Sequence, residues 1–205
     1  IMNYNLKSHW EKIYDEKNED EVSWFQQAPS DSIKMILSTG IDNPKIIDVG
    51  SGRSKLLKTL IDRGYNQLTY LDISESALKK SKEFLGKQSK KVKWIAGDIL
   101  NLNTDEKFDI WHDRAVFHFL TEKNLIKKYV DIVSKNISNN GHLIVGTFSE
   151  NGPLKCSGLD VNRYSKELIK ETFIKNFKLI DTFHIDHKTP FNTTQNFLFS
   201  HFKKI

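Results

Sequence analysis

Apolar positions recur along the chain with two periods. The β-branched and aromatic runs at 45–49, 67–71, 92–95, 108–111 and 142–148 predict buried strands. Between them apolar residues return every third or fourth position, which predicts amphipathic helices. Trp10, Ile13 and Tyr14 mark a helix over 8–17, and Ile33, Ile36 and Leu37 a helix capped by Ser30 or Asp31 and ended by Gly40. Leu56, Leu57, Leu60 and Ile61 share one face of a helix closed at Gly64. Ser74 opens a helix through Ala77, Leu78 and Phe84; Thr121 opens another through Leu125, Tyr129, Ile132 and Val133; Ser165 opens a last one over 166–173. Asn139-Asn140-Gly141 reads as a turn, and the apolar runs at 177–187 and 197–203 as an antiparallel hairpin. Strands alternating with helices make an α/β chain. The expected fold is a doubly wound, seven-stranded, mostly parallel sheet with a terminal antiparallel hairpin and helices on both faces.

With 205 residues the chain fits one domain over 1–205, in which 1–40 form an N-terminal helical and aromatic lid. An acidic linker over 16–21 separates the first helix from the aromatic segment around Trp24, which Pro29 stops. Trp10 and Trp24 precede the first core strand, where they either plug one end of the sheet or cover a ligand. The net charge of +5 comes from lysines spread along the chain beside Asn, Ile and Glu, so no nucleic-acid face is expected. A single cysteine, Cys156, rules out an internal disulfide and a multi-cysteine zinc site, and no metal is expected. The sequence shows neither an apolar run of membrane-spanning length nor a signal-type start. A cytoplasmic enzyme without membrane partners follows as the expectation; oligomeric state is left open.

The chemistry is concentrated after the first strand. Asp48-Val49-Gly50-Ser51-Gly52 ends a buried strand in two glycines, where the backbone must turn close to a ligand. A dinucleotide loop would set a pyrophosphate here, yet Asp48 would repel it, and Lys55 stands where the third glycine belongs. A ligand carrying an ammonium group beside an adenosine suits the acid better. Two more acids end the next two strands: Asp72, about twenty residues beyond the loop, where a βαβ unit brings a carboxylate to a ribose, and Asp98 after Ala96-Gly97. Turn chemistry alone supplies one such acid easily, but three at successive strand ends much less so.

The loop resembles motif I of the class I S-adenosylmethionine-dependent methyltransferases. That resemblance implies S-adenosylmethionine as cofactor, with S-adenosylhomocysteine as product. It implies that Asp48 and the Gly50 backbone receive the methionyl amino group and that Gly52 admits close approach. Asp72 would hold the ribose and Asp98 the adenine amino group, with the following residues Ile73 and Ile99 at the cofactor through their backbones. Tyr14 and Trp24 would cover the methionyl end.

After the fourth strand, His112-Asp113-Arg114-Ala115-Val116-Phe117-His118-Phe119-Leu120 packs polar groups among aromatics where ligands of doubly wound sheets sit. The plain alternative is an Arg114–Asp113 ion pair beside a solvated His112. On the catalytic reading His118 takes a proton, and Arg114 orients an anionic substrate or steadies Asp113. The segment is similar to that of thiopurine-type and other small-molecule methyltransferases, and equally to a bacterial group sharing Asp-Arg-Ala-Val-Phe-His-Phe-Leu. Eukaryotic protein-lysine methyltransferases share the aromatic N-terminus. The loop over 149–158 is long enough to contact substrate, and Cys156 within it is either packing or a contact to a soft acceptor. His184 and His187 read as structural.

Methyl transfer to a small-molecule thiol, amine or carboxylate is therefore the leading expectation, with a protein lysine as the alternative acceptor. From other classes, an NAD-dependent oxidoreductase is opposed by Asp48, the missing glycine and the lack of a Tyr-x-x-x-Lys pair. A non-catalytic module that binds S-adenosylmethionine is opposed only by the three acids, which speak to binding and not to turnover.

Overall fold

The computed structural model describes residues 2–18, 21–26, 28–50, 52–53 and 55–205, with backbone alone at 2–5. Ser51 of the glycine loop and two acids of the expected linker, Glu19 and Asp20, lie outside the described residues. In chain order the elements are α1 (Met2–Glu16), α2 (Ser30–Ser38), β1 (Ile46–Val49), α3 (Lys55–Asp62), β2 (Leu68–Asp72), α4 (Glu75–Leu85) and β3 (Val92–Ala96). Next come β4 (Phe108–Arg114), α5 (Lys123–Asn136), β5 (Ile137–Phe148) and a two-residue ribbon, β6 (Lys155–Cys156) with β7 (Leu159–Asp160). The chain finishes with α6 (Lys166–Phe173), β8 (Phe177–Lys188) and β9 (Thr194–Lys204).

Seven strands form one sheet in the order β3-β2-β1-β4-β5-β9-β8. β3 through β5 run parallel, and β9 and β8 close the edge antiparallel. The unbroken apolar runs follow from burial on both faces. Ile47 and Val49 join Trp111, Tyr129, Val133 and Phe173 beneath α5 and α6, while Ile46 joins Ile33, Leu57, Leu60 and Leu78 beneath α2, α3 and α4. Among the described residues no helix is long and apolar enough to cross a membrane.

Four local expectations are corrected. Pro29 occupies the N-cap of α2 without a side-chain bond, so Ser30 and Asp31 fall inside the first turn; α5 starts at Lys123 behind Glu122, not at Thr121. Asn139-Asn140-Gly141 does not separate helix from strand. The stretch is absorbed into β5 as an irregularity, with Asn140 at φ 62° and a register shift opposite Phe108 and Ile110. β4 runs on to Arg114 instead of stopping at Trp111, because β1 and β5 offer partners on both sides: His112 pairs with Asp48 and Ile144, Asp113 with Val49 and Val145. Ser74 and Ser165 cap as expected, accepting from the N–H groups of Ala77 and Leu168.

Candidate active site

The strand order reverses between β1 and β4, and the crevice beyond their C-terminal ends holds a cavity of about 350 Å³. Asp98, Ile99, Asp72, Ile73 and Gly50 line one side, in the order the sheet dictates: β3, then β2, then β1. Arg114, Ala115, Val116, Phe119 and Cys156 line the other, and Leu6, His9, Trp10, Tyr14 and Trp24 lie across the top. Tyr14, Trp24 and Arg114 also face a second cavity of about 380 Å³ on the far side.

The glycine turn is fixed by backbone demands. Gly50 sits at φ 60° and its N–H donates to the Leu71 carbonyl at 2.7 Å; Gly52 sits at φ 61°. A Cβ on Gly50 would strike the Val116 side chain, and one on Gly52 the Tyr14 hydroxyl, so both positions exclude larger residues. The Gly52 carbonyl accepts from Ser81 Oγ at 2.8 Å and lies beside the Tyr70 hydroxyl, which also stands 2.9 Å from Asp72 Oδ2. Asp72 Oδ1 accepts from the Ser74 N–H at 2.9 Å. Burial pushes the Asp72 carboxyl up to about 6, and the Ser74 N–H, the Tyr70 hydroxyl and the Gly52 N–H partly offset it. Asp98 caps the turn Ile99–Asn101, with Oδ1 accepting from the Leu100 N–H at 2.9 Å.

Asp48 lies behind this wall. It is fully buried, with Oδ1 2.8 Å from His112 Nδ1, whose Nε2 lies 2.8 Å from Ser32 Oγ. Nothing in the local pattern announces this link from β1 through β4 to α2, and His112 is buried rather than solvated.

Of the three residues expected to be catalytic, the structure brings only Arg114 to the cavity. Asp113 points into the core: Oδ1 accepts from the Val116 and Phe117 N–H groups at 3.0 and 3.2 Å, and Oδ2 accepts from the Tyr129 hydroxyl at 2.5 Å. Burial raises its carboxyl to about 6, and these donors hold the turn that carries Ala115 at φ 68°. The anticipated Arg114–Asp113 pair does not form. His118 is sealed beneath the floor between Phe119 and Phe148, where its Nδ1 accepts from the Phe148 N–H at 3.2 Å. Burial, then the nearby Arg114 charge, pushes it down to about 3, so it is a neutral packing group out of reach of a ligand.

His9 was missed because, in a helix-spaced segment, it reads as a surface residue. It faces the cavity with Nε2 buried and without a partner, and burial holds it below the usual histidine range, against the opposing pull of the Ser157 backbone. Cys156 also reaches the cavity, but burial pushes its thiol up to about 11, which suppresses the thiolate. His187 is structural, its Nε2 donating to the Ser23 carbonyl at 2.8 Å, and His184 bonds Asn196 at 3.0 Å.

The upper wall is attached through charge. Glu11 on α1 lies at the N-terminus of α4, where Oε1 accepts from the Glu75 N–H at 2.7 Å and Oε2 from the Ser76 N–H at 3.0 Å and Ser74 Oγ at 2.9 Å. These are donors that a helix leaves unsatisfied. Lys80 donates to the Tyr14 carbonyl near the C-terminus of α1. Trp10 packs edge-on against Trp24 and Phe119, at 5.7 and 5.3 Å between centroids, and Tyr14 against Trp24 at 6.3 Å.

Two carboxylates one strand apart suit a ribose and an exocyclic amine. No lysine or arginine lies at that end among the described lining residues, so a pyrophosphate has no match. A family model described as a methyltransferase domain matches residues 42–192. The chain is 22% identical over 145 residues to the eEF1A lysine and N-terminal methyltransferase homolog of Drosophila melanogaster, covering 66% of this chain but 21% of that protein. It is 24% identical over 191 residues to human EEF1A lysine methyltransferase 2, covering 85% of this chain and 75% of the relative. Its fold matches the Burkholderia thailandensis 1,6-didemethyltoxoflavin-N1-methyltransferase, solved with 1,6-didemethyltoxoflavin and S-adenosylhomocysteine. There the TM-score is 0.77 at 17% identity, over 97% of this chain and 87% of that one.

Proposed function

This chain belongs to the S-adenosylmethionine-dependent methyltransferases of the class I fold, and from that premise we propose that it methylates a small-molecule acceptor held beneath α1. The observation that carries the acceptor's size is the enclosure. The reacting side is bounded by α1, the segment around Trp24, the turn Phe117–Phe119 and the β6–β7 ribbon, so an acceptor has to fit under four separate elements.

When bound, the cofactor supplies a methyl group already activated on a sulfonium. The chain's task is to position and to accept a proton. Asp98 and the Ile99 backbone take the adenine, Asp72 and the Ile73 backbone the ribose, and the Gly50–Gly52 turn the methionyl end, with Asp48 acting from behind Gly50. Tyr14 and Trp24 exclude water there, and residues 1–40 serve as the lid of a single domain over 1–205. His9 Nε2 receives the acceptor's proton, a role the buried His118 is not placed to fill.

A protein lysine is the second reading, supported by the names of the relatives in fly and human. Calorimetry with S-adenosylhomocysteine and with NAD tests the cofactor; tight NAD binding without a response to S-adenosylhomocysteine would overturn the proposal. Thiols, amines, carboxylates and lysine peptides, scored by release of S-adenosylhomocysteine, test the acceptor. Turnover confined to peptides would replace the small-molecule reading.

A further inference from the structure

Arg114 is the last residue of β4, and among the described residues lining the cavity it is the only lysine or arginine. One nitrogen, Nη1, donates to the Trp24 carbonyl at 2.9 Å, and the guanidinium lies over the Phe197 ring with 4.8 Å to its centroid. The other two, Nε and Nη2, are buried without any hydrogen-bond partner. No described carboxylate forms a salt bridge with it, since Asp113 is turned to Tyr129 and to its own loop. Burial lowers the guanidinium to about 10, against the pull of Cys156 and Asp31, which leaves it charged at neutral pH.

The pair left open carries information. Nε–H and the Nη2 hydrogen form one edge of the planar group, and that edge grips a carboxylate through two parallel bonds. A buried cation with this edge vacant is costly unless a ligand completes it. In the sheet Arg114 stands on β4, on the opposite side of Gly50 from Asp72, so an anion held at this edge lies beyond the methionyl end, away from the Nη1 bond to Trp24.

Resting on the methyltransferase reading, we propose that the acceptor is a carboxylate-bearing small molecule whose carboxylate is clamped by the Nε–Nη2 edge of Arg114, making this residue the determinant of acceptor class. The cofactor carries a carboxylate of its own, and the experiment separates the two sources. Protein saturated with S-adenosylhomocysteine is titrated calorimetrically with benzoate and with benzamide, its uncharged counterpart of the same shape. Wild type should prefer benzoate by at least about tenfold, as a charge-assisted bidentate contact requires. R114Q should lose the preference and R114K recover part of it. Affinities of R114Q for S-adenosylhomocysteine and for 5′-methylthioadenosine, which lacks the amino-acid portion, should both stay within about twofold of wild type. Equal binding of benzoate and benzamide by wild type overturns the proposal, as does a preference surviving in R114Q. So does an R114Q that loses S-adenosylhomocysteine but keeps 5′-methylthioadenosine, which would assign the edge to the cofactor. If R114Q fails to fold, the wild-type pair of titrations still decides. A wild type that ignores S-adenosylhomocysteine altogether would instead sink the methyltransferase reading.

Discussion

Replacing Glu11 by alanine isolates the attachment of the N-terminal helix from everything else the chain does. The side chain accepts two backbone N–H groups and one hydroxyl at the start of α4, and it contributes nothing to either hydrophobic cluster. A lost helix cap costs about 1 kcal/mol, and the interaction of an anion with a helix N-terminus adds about 0.3–1 kcal/mol. Partial exposure and water replacing the lost acceptor keep the total at about 1.5 kcal/mol, or about a tenfold shift in the equilibrium between docked and detached α1. Native-state hydrogen exchange reads that number directly. Amides over 8–16 should lose about tenfold in protection, whereas the amides of β1, β4 and β5 should be unchanged, because local opening leaves the sheet intact. Glu11→Gln keeps the shape with a weaker acceptor and should fall between. Equal loss of protection in α1 and in the central strands would refute the reasoning, since α1 would then be part of the global unit; so would unchanged protection of α1.

Asp72 and His9 supply the remaining outcomes. Asp72→Ala should weaken S-adenosylhomocysteine binding by about 1.5–3 kcal/mol, because the partner hydroxyls lose a charged acceptor. In the wild type that affinity should fall as pH drops below about 6, where the buried carboxyl takes up its proton. Folding responds with the opposite sign. A raised carboxyl contributes stability that is complete below its ordinary value of 3.8 and is lost as pH rises through about 6, so calorimetric titrations and thermal melts across pH 4–8 should trend in opposite directions for this group. His9→Asn should slow turnover of an acidic acceptor by about 10²–10⁴-fold and remove the fall of the wild-type rate as pH drops through the depressed histidine value. An unchanged pH–rate profile would take His9 out of the mechanism.

Much of the frame was readable because it rests on short-range chemistry. Asp72, Asp98 and the Gly50–Gly52 turn declare themselves through spacing and strand ends, and the structure sets them in one row along the sheet edge. The segment from His112 to His118 misleads because its polarity imitates a solvated loop. Its first two polar residues find distant partners instead: His112 meets Asp48 and Ser32, 64 and 80 residues away, and Asp113 meets Tyr129, 16 residues on. Glu11 escapes notice for the same reason, since a carboxylate at helical spacing looks like a surface charge until α4 is brought to meet it.

Asp72 and Ser74 lie in one turn: the Ser74 N–H donates to the Asp72 carboxylate, and the Ser74 hydroxyl donates to Glu11. The group proposed to hold the ribose and the group that anchors α1 thus share a single stretch of backbone. Binding free energies linked in this way are reciprocal. Whatever factor docked α1 adds to cofactor affinity, the bound cofactor must return to the docking of α1. A second molecule that grips the outer face of α1 would tune the donor site from a distance, without entering the cavity.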